Sequence, residues 1–147
     1  MRITQEQFTI VGLPLRTNNR EAASAIPPHW ESFVQADVAG STGAGGDVYA
    51  VYADHEHAGV DNLGDYTLVI GHRVPDGTVP PEGLAAVVVP RSDREIVELE
   101  PGRPDLVGEA WQRIWAREDL DLSYLADFER YAADGGIEIS PGLRSAS

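Results

Sequence analysis

The sequence has no cysteine, no lysine and only one methionine among its 147 residues. Without cysteine it can form neither a disulfide nor a cysteine-based zinc site, so we expect packing to supply its stability and a reducing, cytoplasmic location to suit it. Without lysine it cannot build a phosphate-binding loop ending in Gly-Lys-Ser or Gly-Lys-Thr, although residues 40–46 are rich in glycine. No Gly-x-Ser-x-Gly nucleophile elbow occurs either. These absences disfavour nucleophilic catalysis, and we expect no cofactor.

Basic residues are also scarce, because 11 arginines face 24 acids and the formal net charge is −13. A chain this acidic repels phosphate backbones, so we expect no direct nucleic-acid partner. No run of about 18 apolar residues is present, and the first residues lack the pattern of a secretory signal, so we expect no membrane partner. The acidity either confers solubility alone or attracts cations.

The sequence does contain the material for a folded core. Apolar residues make up 42% of the chain, and its length fits one domain over residues 1–147. Apolar and β-branched runs predict strands at residues 8–15, 48–53, 66–72, 84–89, 95–99, 127–131 and 137–139.

Two windows of helical periodicity lie between these strands. The first places Ile26, Trp30, Phe33 and Val34 on one face, and the Pro27-Pro28 pair predicts that the regular helix begins at the prolines. The second begins near residues 104–105 and ends near residue 117, with Trp111 on its apolar face.

The order of elements repeats along the chain. Ile10 and Ile96 lie 86 residues apart, Trp30 and Trp111 lie 81 apart, and Tyr52 and Tyr131 lie 79 apart in matching patterns. We expect pseudo-repeats at about residues 8–75 and 84–144. The predicted fold class is α+β, with duplicated βαββ units that form a largely antiparallel curved sheet, two main helices and a central ligand groove where the halves meet.

The last part of the chain carries the main candidate site residue. On a strand, Glu129 and Tyr131 point to one face while Phe128 and Arg130 point to the other. A glutamate among aromatic rings would attract a cation, and ring–cation contacts add about 0.5–2 kcal/mol each. The alternative is an exposed strand glutamate beside core aromatics.

Five further aromatic residues are candidates for the walls of a site. The tryptophans belong either to the helical core or to the groove, and the strand tyrosines need hydrogen-bond partners if they are buried. These residues are Trp30, Trp111, Tyr49, Tyr52 and Tyr66.

The segment His55-Glu56-His57, preceded by Asp54, has the composition of a metal site. It runs into a predicted loop at residues 59–64, and no third ligand is evident, so a solvated loop is the favoured interpretation. We therefore predict no metal site.

Six segments, taken in order, resemble the GyrI-like domains, also called AraC-type effector-binding domains, and above all the stand-alone integron-associated effector-binding proteins. The likeness extends from about residue 8 to residue 144. The segments are Phe8-Thr-Ile-Val-Gly-Leu, Ile26-Pro-Pro-His-Trp-Glu-Ser-Phe33, Val48-Tyr-Ala-Val-Tyr52, Gly64-Asp-Tyr-Thr-Leu-Val-Ile-Gly71, Ala110-Trp-Gln-Arg-Ile-Trp115 and Ala126-Asp-Phe-Glu-Arg-Tyr131.

The resemblance implies a duplicated βαββ fold whose central groove binds cationic, aromatic or amphipathic compounds. It gives Glu129 the place of the central glutamate, Tyr131 the place beside it, and Trp111 that of a groove-lining tryptophan. Two segments depart from the family pattern. Residues 89–94 read Val-Pro-Arg-Ser-Asp-Arg where an aromatic residue is common, and Ser140-Pro141-Gly142 interrupts the last strand.

Three functions follow from the resemblance. The first is a stand-alone binder of small effectors or drugs that serves sensing, sequestration or transcription regulation; because the chain has no room for a helix-turn-helix, regulation would be indirect. The second is a hydrolase of cyclopropane-bearing genotoxins, in which Glu129 would be catalytic. The third is a modulator of DNA gyrase. A small molecule is therefore the expected partner, with a regulator or gyrase as the alternative protein partner.

Overall fold

A seven-stranded antiparallel sheet forms the centre of the computed structural model, which describes residues 1–144. The strands are β1 (Arg2–Gln5), β2 (Phe8–Thr17), β3 (Val48–Ala53), β4 (Tyr66–Val74), β5 (Ala85–Val89), β6 (Ser92–Glu95), β7 (Val97–Leu99), β8 (Asp127–Tyr131), β9 (Ile137–Ser140) and β10 (Gly142–Leu143). The helices are α1 (Ala22–Ala36), α2 (Val38–Thr42) and α3 (Val107–Ala116), the last preceded by a turn of 3-10 helix at Pro104–Leu106.

The order of strands in the main sheet shows the duplication directly. The order is β5-β2-β4-β3-β8-β9-β7. In the first half, the first strand (β2) lies farthest from the centre, next to the added edge strand β5; the third (β4) lies in the middle and the second (β3) innermost. The second half repeats this arrangement with β7, β9 and β8. The predicted α+β fold of duplicated βαββ units is thus confirmed, and the halves meet at the β3–β8 pair.

The register of the β3–β8 pair is symmetric. Ala50 lies opposite Glu129, and Tyr52 lies opposite Asp127. An offset of 79 residues (129 minus 50) maps this pairing onto itself, so that Ala50 is equivalent to Glu129 and Tyr52 to Tyr131. The pseudo-twofold axis therefore passes between Ala50 and Glu129, which are equivalent positions of the two halves.

A second, smaller sheet of order β1-β6-β10 covers one face of the main sheet. The predicted strand at residues 95–99 is wrong in this respect, because the chain divides there into β6 and β7, which belong to different sheets. The division occurs at Ile96, whose amide donates to the carbonyl of Met1 at 2.8 Å. The predicted interruption at Pro141 has a similar outcome, since β9 ends at Ser140 and the chain passes to the small sheet as β10.

Helix α1 begins five residues earlier than its prolines predict. The side chain of Asn18 accepts hydrogen bonds from the amides of Arg20 and Glu21, both at 3.1 Å, and so starts a turn upstream of residue 22. Pro27 and Pro28 therefore lie inside the helix, where their missing amides leave two carbonyls of the preceding turn without an intrahelical partner.

No helix within residues 1–144 is long and apolar enough to cross a bilayer.

The predicted apolar face of α1 is wrong for Val34. Phe33 is buried, but Val34 is 74% exposed. Successive helical residues are separated by about 100°, which carries Val34 past the edge of the buried face.

The main sheet separates two apolar layers. The layer beneath the small sheet contains Phe8, Val51 and Phe128. The layer beneath the helices contains Leu68 near α1 and Ile139 near α3. This division determines which strand residues face the helices.

Two facing glycines let β2 and β4 approach closely. Gly12 pairs with Gly71. A Cβ added to Gly71 would lie 2.0 Å from the carbonyl oxygen of Val11, and one added to Gly12 would lie 2.1 Å from that of Ile70. Only glycine fits this close approach of two backbones.

Candidate ligand-binding groove

A groove of about 830 Å³ lies between α1 and α3, with the β3–β8 pair as its floor. This volume is within the range of drug-sized ligand sites, roughly 300–1,000 Å³. Each helix presents one face to it, and the strands contribute alternate residues. Its lining comprises Asn19, Ala22, Ala23, Ile26, Pro27, Trp30, Val48, Tyr52, His55, Asn62, Tyr66, Pro104, Val107, Gly108, Trp111, Gln112, Trp115, Asp127, Glu129 and Tyr131.

Glu129 lies at the centre of the floor and is 1% exposed. Three side chains donate hydrogen bonds to its carboxylate. The hydroxyl of Tyr52 and the indole Nε1 of Trp111 donate to Oε2 at 2.6 and 2.7 Å, and the hydroxyl of Tyr131 donates to Oε1 at 2.5 Å. No arginine or histidine among residues 1–144 forms an ion pair with it. The carboxylate is thus held by neutral donors without a counter-charge.

The donors follow the duplication of the fold. Tyr52 and Tyr131 are equivalent by the offset of 79, and they bind the two oxygens of the same carboxylate. Trp111 meets Tyr52 edge-on at 5.9 Å between ring centroids, and Trp30 meets Tyr131 edge-on at 5.0 Å. The cage around Glu129 is therefore two copies of one Trp–Tyr pair that enclose a single charge.

Burial sets the protonation of this cage. Burial raises the pKa of Glu129, while the hydrogen bonds from Tyr131, Tyr52 and Trp111 act against that rise. Burial, with the nearby Glu129 charge, also raises the pKa of Tyr52 and Tyr131 well above the usual range and that of Tyr66 to about 12. The tyrosine hydroxyls stay protonated at neutral pH and can donate.

Six of the seven predicted site residues are brought together in the groove. Their side chains line one cavity, in which Tyr66 packs edge-on against Tyr52 at 5.4 Å. The six are Glu129, Trp111, Tyr131, Tyr52, Tyr66 and Trp30.

Tyr49 is the predicted site residue that the groove does not contain. Its ring lies on the opposite face of the sheet, against Phe8 and Phe128 at 5.5 and 5.8 Å. There it lines a separate cavity of about 350 Å³ beneath the small sheet. The reason is strand parity, since Tyr49 and Tyr52 are three residues apart and point to opposite faces.

This geometry can be set beside known proteins. The family model described as integron-associated effector binding protein matches residues 3–140. The chain belongs to this family. Among solved structures, an integron cassette protein from the mobile metagenome of Vibrio cholerae is similar, with 21% identity, a TM-score of 0.81, and coverage of 98% of this chain and 95% of that one.

Two further structures share the fold. SAV2435 bound to tetraphenylphosphonium has 15% identity and a TM-score of 0.76, over 99% of this chain and 93% of that one. EcmrR in a complex with DNA has 12% identity and a TM-score of 0.57, over 99% of this chain and 57% of that one. No curated protein sequence matches the chain. The family description indicates that the ligand of this effector-binding fold is a small-molecule effector.

Several groove residues escaped sequence reasoning. Trp115 stacks on Trp111 at 5.8 Å and belongs to a segment that resembles the family. Asp127 is on the same strand face as Glu129, and this parity was a usable signal. His55 and Asn62 come from the loop between β3 and β4, where no sequence periodicity predicts direction.

The structure gives the two histidines of His55-Glu56-His57 different surroundings. His55 packs against Tyr66 at 5.7 Å between ring centroids and lines the groove. His57 Nδ1 lies 2.6 Å from Asp61 on the exposed loop. Within the described residues, no group of three or more histidine, aspartate or glutamate side chains could hold a metal ion.

The departure from the family pattern at residues 89–94 has a structural counterpart. Arg94 is fully buried beneath Phe128, with its guanidinium carbon 4.8 Å from the ring centroid. It donates to the carbonyls of Ala126 and Ser140 at 3.0 and 3.1 Å. It lies on the face of the sheet away from the groove, so it supports β8 and does not line the site.

Proposed function

We propose that this protein binds lipophilic, aromatic cations and that Glu129 supplies the counter-charge. The observation that carries the proposal is the buried carboxylate of Glu129, surrounded by aromatic rings and without a cationic partner. A carboxylate in this state gains from a cation that enters the groove, because the cation offsets the cost of burying the charge. Trp111, Trp30 and the cage tyrosines offer ring faces and edges to the rest of the ligand.

The neighbouring structure that contains tetraphenylphosphonium supports the choice of ligand class, since that ion is a bulky aromatic cation. In the cell, such binding would serve sensing or sequestration of the compound. A part in transcription regulation stays a prediction from the family resemblance. The DNA gyrase alternative stays a prediction from the family resemblance.

The test is calorimetric titration of tetraphenylphosphonium into the wild type and into Glu129→Gln. The glutamine keeps the shape of the side chain and an oxygen for the cage donors but removes the charge. Loss of a charge-assisted contact in a buried site predicts at least about tenfold weaker binding. Glu82→Gln is the matched control, because Glu82 is exposed in the β4–β5 loop and its substitution changes the net charge equally.

Equal affinity of the wild type and Glu129→Gln would contradict the proposal. A loss of affinity in Glu82→Gln as large as that in Glu129→Gln would assign the effect to net charge instead of to the groove. Circular dichroism of each variant verifies that the fold is intact.

The hydrolase alternative uses the same residue, but the cage argues against it. A general base needs a free lone pair within reach of water, and the cage already occupies three of the roughly four acceptor sites of the Glu129 carboxylate. The deciding experiment is mass spectrometry of a cyclopropane-bearing compound after incubation with the protein. Ring-opened product above the Glu129→Ala background would establish turnover and overturn the binding-only proposal.

A further inference from the structure

The groove has two unlike ends, although the fold that builds it is symmetric. At one end of the β3–β8 pair, Val48 lies opposite Tyr131, and Trp30 packs on that tyrosine. We call this the apolar end. At the other end Tyr52 lies opposite Asp127. Val48 and Asp127 are equivalent by the offset of 79 residues, so the duplication places a carboxylate at one end only.

The end with Asp127 carries further polar groups. Tyr66 packs on Tyr52, and its hydroxyl donates to Asn19 Oδ1 at 3.0 Å. His55 packs on Tyr66 at 5.7 Å. We call the group of Asp127, His55, Tyr66 and Asn19 the polar end.

Asp127 has one oxygen engaged and one available. Oδ1 accepts a hydrogen bond from the amide of Gly142 at 2.7 Å, and within residues 1–144 no hydrogen bond reaches Oδ2. Burial raises the pKa of Asp127 to about 6, against the amide of Gly142 and the charge of Arg94. The group is therefore ionised at slightly alkaline pH and gains from a cation at Oδ2.

His55 supplies an acceptor at the same end. Its Nε2 is buried and has no hydrogen-bond partner among the described residues. Burial lowers the pKa of His55, against the backbone carbonyl of Tyr52, so the ring is neutral and one of its nitrogens is an acceptor. With the proton on Nδ1, that acceptor is Nε2. An unpartnered buried acceptor is costly, and a ligand N–H that reaches it removes that cost.

We propose that the polar end binds a second, hydrogen-bond-donating cationic group of the ligand, so that the groove selects amphiphilic diamines over monocations of similar shape. The proposal rests on the function proposed above, with the first cation at Glu129. Asp127 and Glu129 are two residues apart on one strand face, so their Cα atoms lie about 6.7 Å apart. A protonated amine donates to Asp127 and His55, whereas a quaternary ammonium has no N–H to donate. The apolar aromatic part of the ligand then occupies the apolar end.

The test compares three matched ligands by calorimetry at slightly alkaline pH. They are N-naphthylmethyl putrescine, the monoamine N-naphthylmethyl butylamine, and the diamine with its distal nitrogen trimethylated. The diamine is expected to bind the wild type about tenfold more tightly than the monoamine, since one charge-assisted contact is worth about that factor. The trimethylated compound is expected to lose part of this advantage.

Two variants locate the effect. Asp127→Asn keeps an oxygen for the Gly142 amide but removes the charge, and it is expected to reduce the diamine advantage to less than about threefold. Circular dichroism verifies that this variant is folded. His55→Phe keeps an aromatic ring on Tyr66, and it is expected to reduce the preference for the N–H amine over its trimethylated form, because Asp127 is then the remaining acceptor. Glu82→Gln is the charge control.

Equal binding of diamine and monoamine to the wild type, or an unchanged advantage in Asp127→Asn, would overturn this inference and leave the proposed function standing. Failure of the monoamine and of tetraphenylphosphonium to bind, or monoamine binding that Glu129→Gln does not weaken, would overturn the proposed function and this inference with it.

Discussion

At the scale of the residue, the groove holds two carboxylates whose ionisation is unfavourable in the unliganded protein. Burial raises the pKa of both Glu129 and Asp127. Glu129 is held by three donors and Asp127 by one backbone amide, so the donors only partly offset the burial. A cationic ligand lowers the free-energy cost of keeping these two buried carboxylates ionised.

The first consequence concerns stability and pH. The folded pKa of Asp127 is about 6, against an ordinary aspartate pKa of 3.8. Between these values the folded state holds the proton more tightly than the unfolded state, so this group makes the protein less stable as the pH rises through the window. Asp127→Asn is therefore expected to raise the free energy of unfolding at neutral pH by about 1–3 kcal/mol.

Thermal melts of the wild type and Asp127→Asn at several pH values check this. The advantage of the variant is expected to fade as the pH falls below the ordinary aspartate pKa. A gain that is the same at all pH values would refute the electrostatic explanation.

At the scale of the element, the strands that carry the site were predictable and their surroundings were not. Residues 48–53 and 127–131 form strands with the predicted bounds, and period-two alternation correctly placed Glu129 and Tyr131 on one face. The same alternation places Tyr49 and Tyr52 on opposite faces of β3, which is why Tyr49 lies outside the groove. The start of α1 depends on the side chain of Asn18, which hydrophobic periodicity does not register. The small sheet depends on long-range contacts, such as that between Met1 and Ile96, which no local pattern contains.

The close approach of β2 and β4 gives a prediction about the sheet. Gly71→Ala places a Cβ against the backbone of Val11, which cannot retreat without breaking the pairing. We expect a loss of at least about 1–3 kcal/mol in the free energy of unfolding, the usual range for overpacking. Urea denaturation measures it.

Gly108→Ala is the matched comparison. Gly108 lies inside α3, and an added Cβ there meets nothing within 4 Å. Alanine is the better helix former, so this variant is expected to gain about 0.5–1 kcal/mol. If Gly71→Ala were as stable as the wild type, the close approach of β2 and β4 would not require glycine at this position.

At the scale of the whole molecule, the charge of −13 separates into two parts. Many carboxylates form exposed pairs with arginine, such as Asp105 with Arg103 and Asp119 with Arg117, and contribute little to stability. The remaining surplus creates a negative field that draws cations toward the protein and that salt screens. Sequence composition predicted this field, but only the fold shows that Glu129 and Asp127 lie in the groove. The duplication explains the arrangement, because two equivalent Trp–Tyr pairs enclose a charge that only one half supplies.

The central claim is that the charge of Glu129 makes the groove select cations, although its aromatic walls could pack against aromatic ions of either charge. Tetraphenylphosphonium and tetraphenylborate have nearly the same shape and opposite charge, so calorimetric titration of both against the wild type and Glu129→Gln is the most direct test. The account predicts that the wild type binds the phosphonium at least about a hundredfold more tightly than the borate, and that Glu129→Gln reduces this ratio at least about tenfold. Equal binding of the two ions by the wild type, or a ratio that Glu129→Gln leaves unchanged, would contradict it.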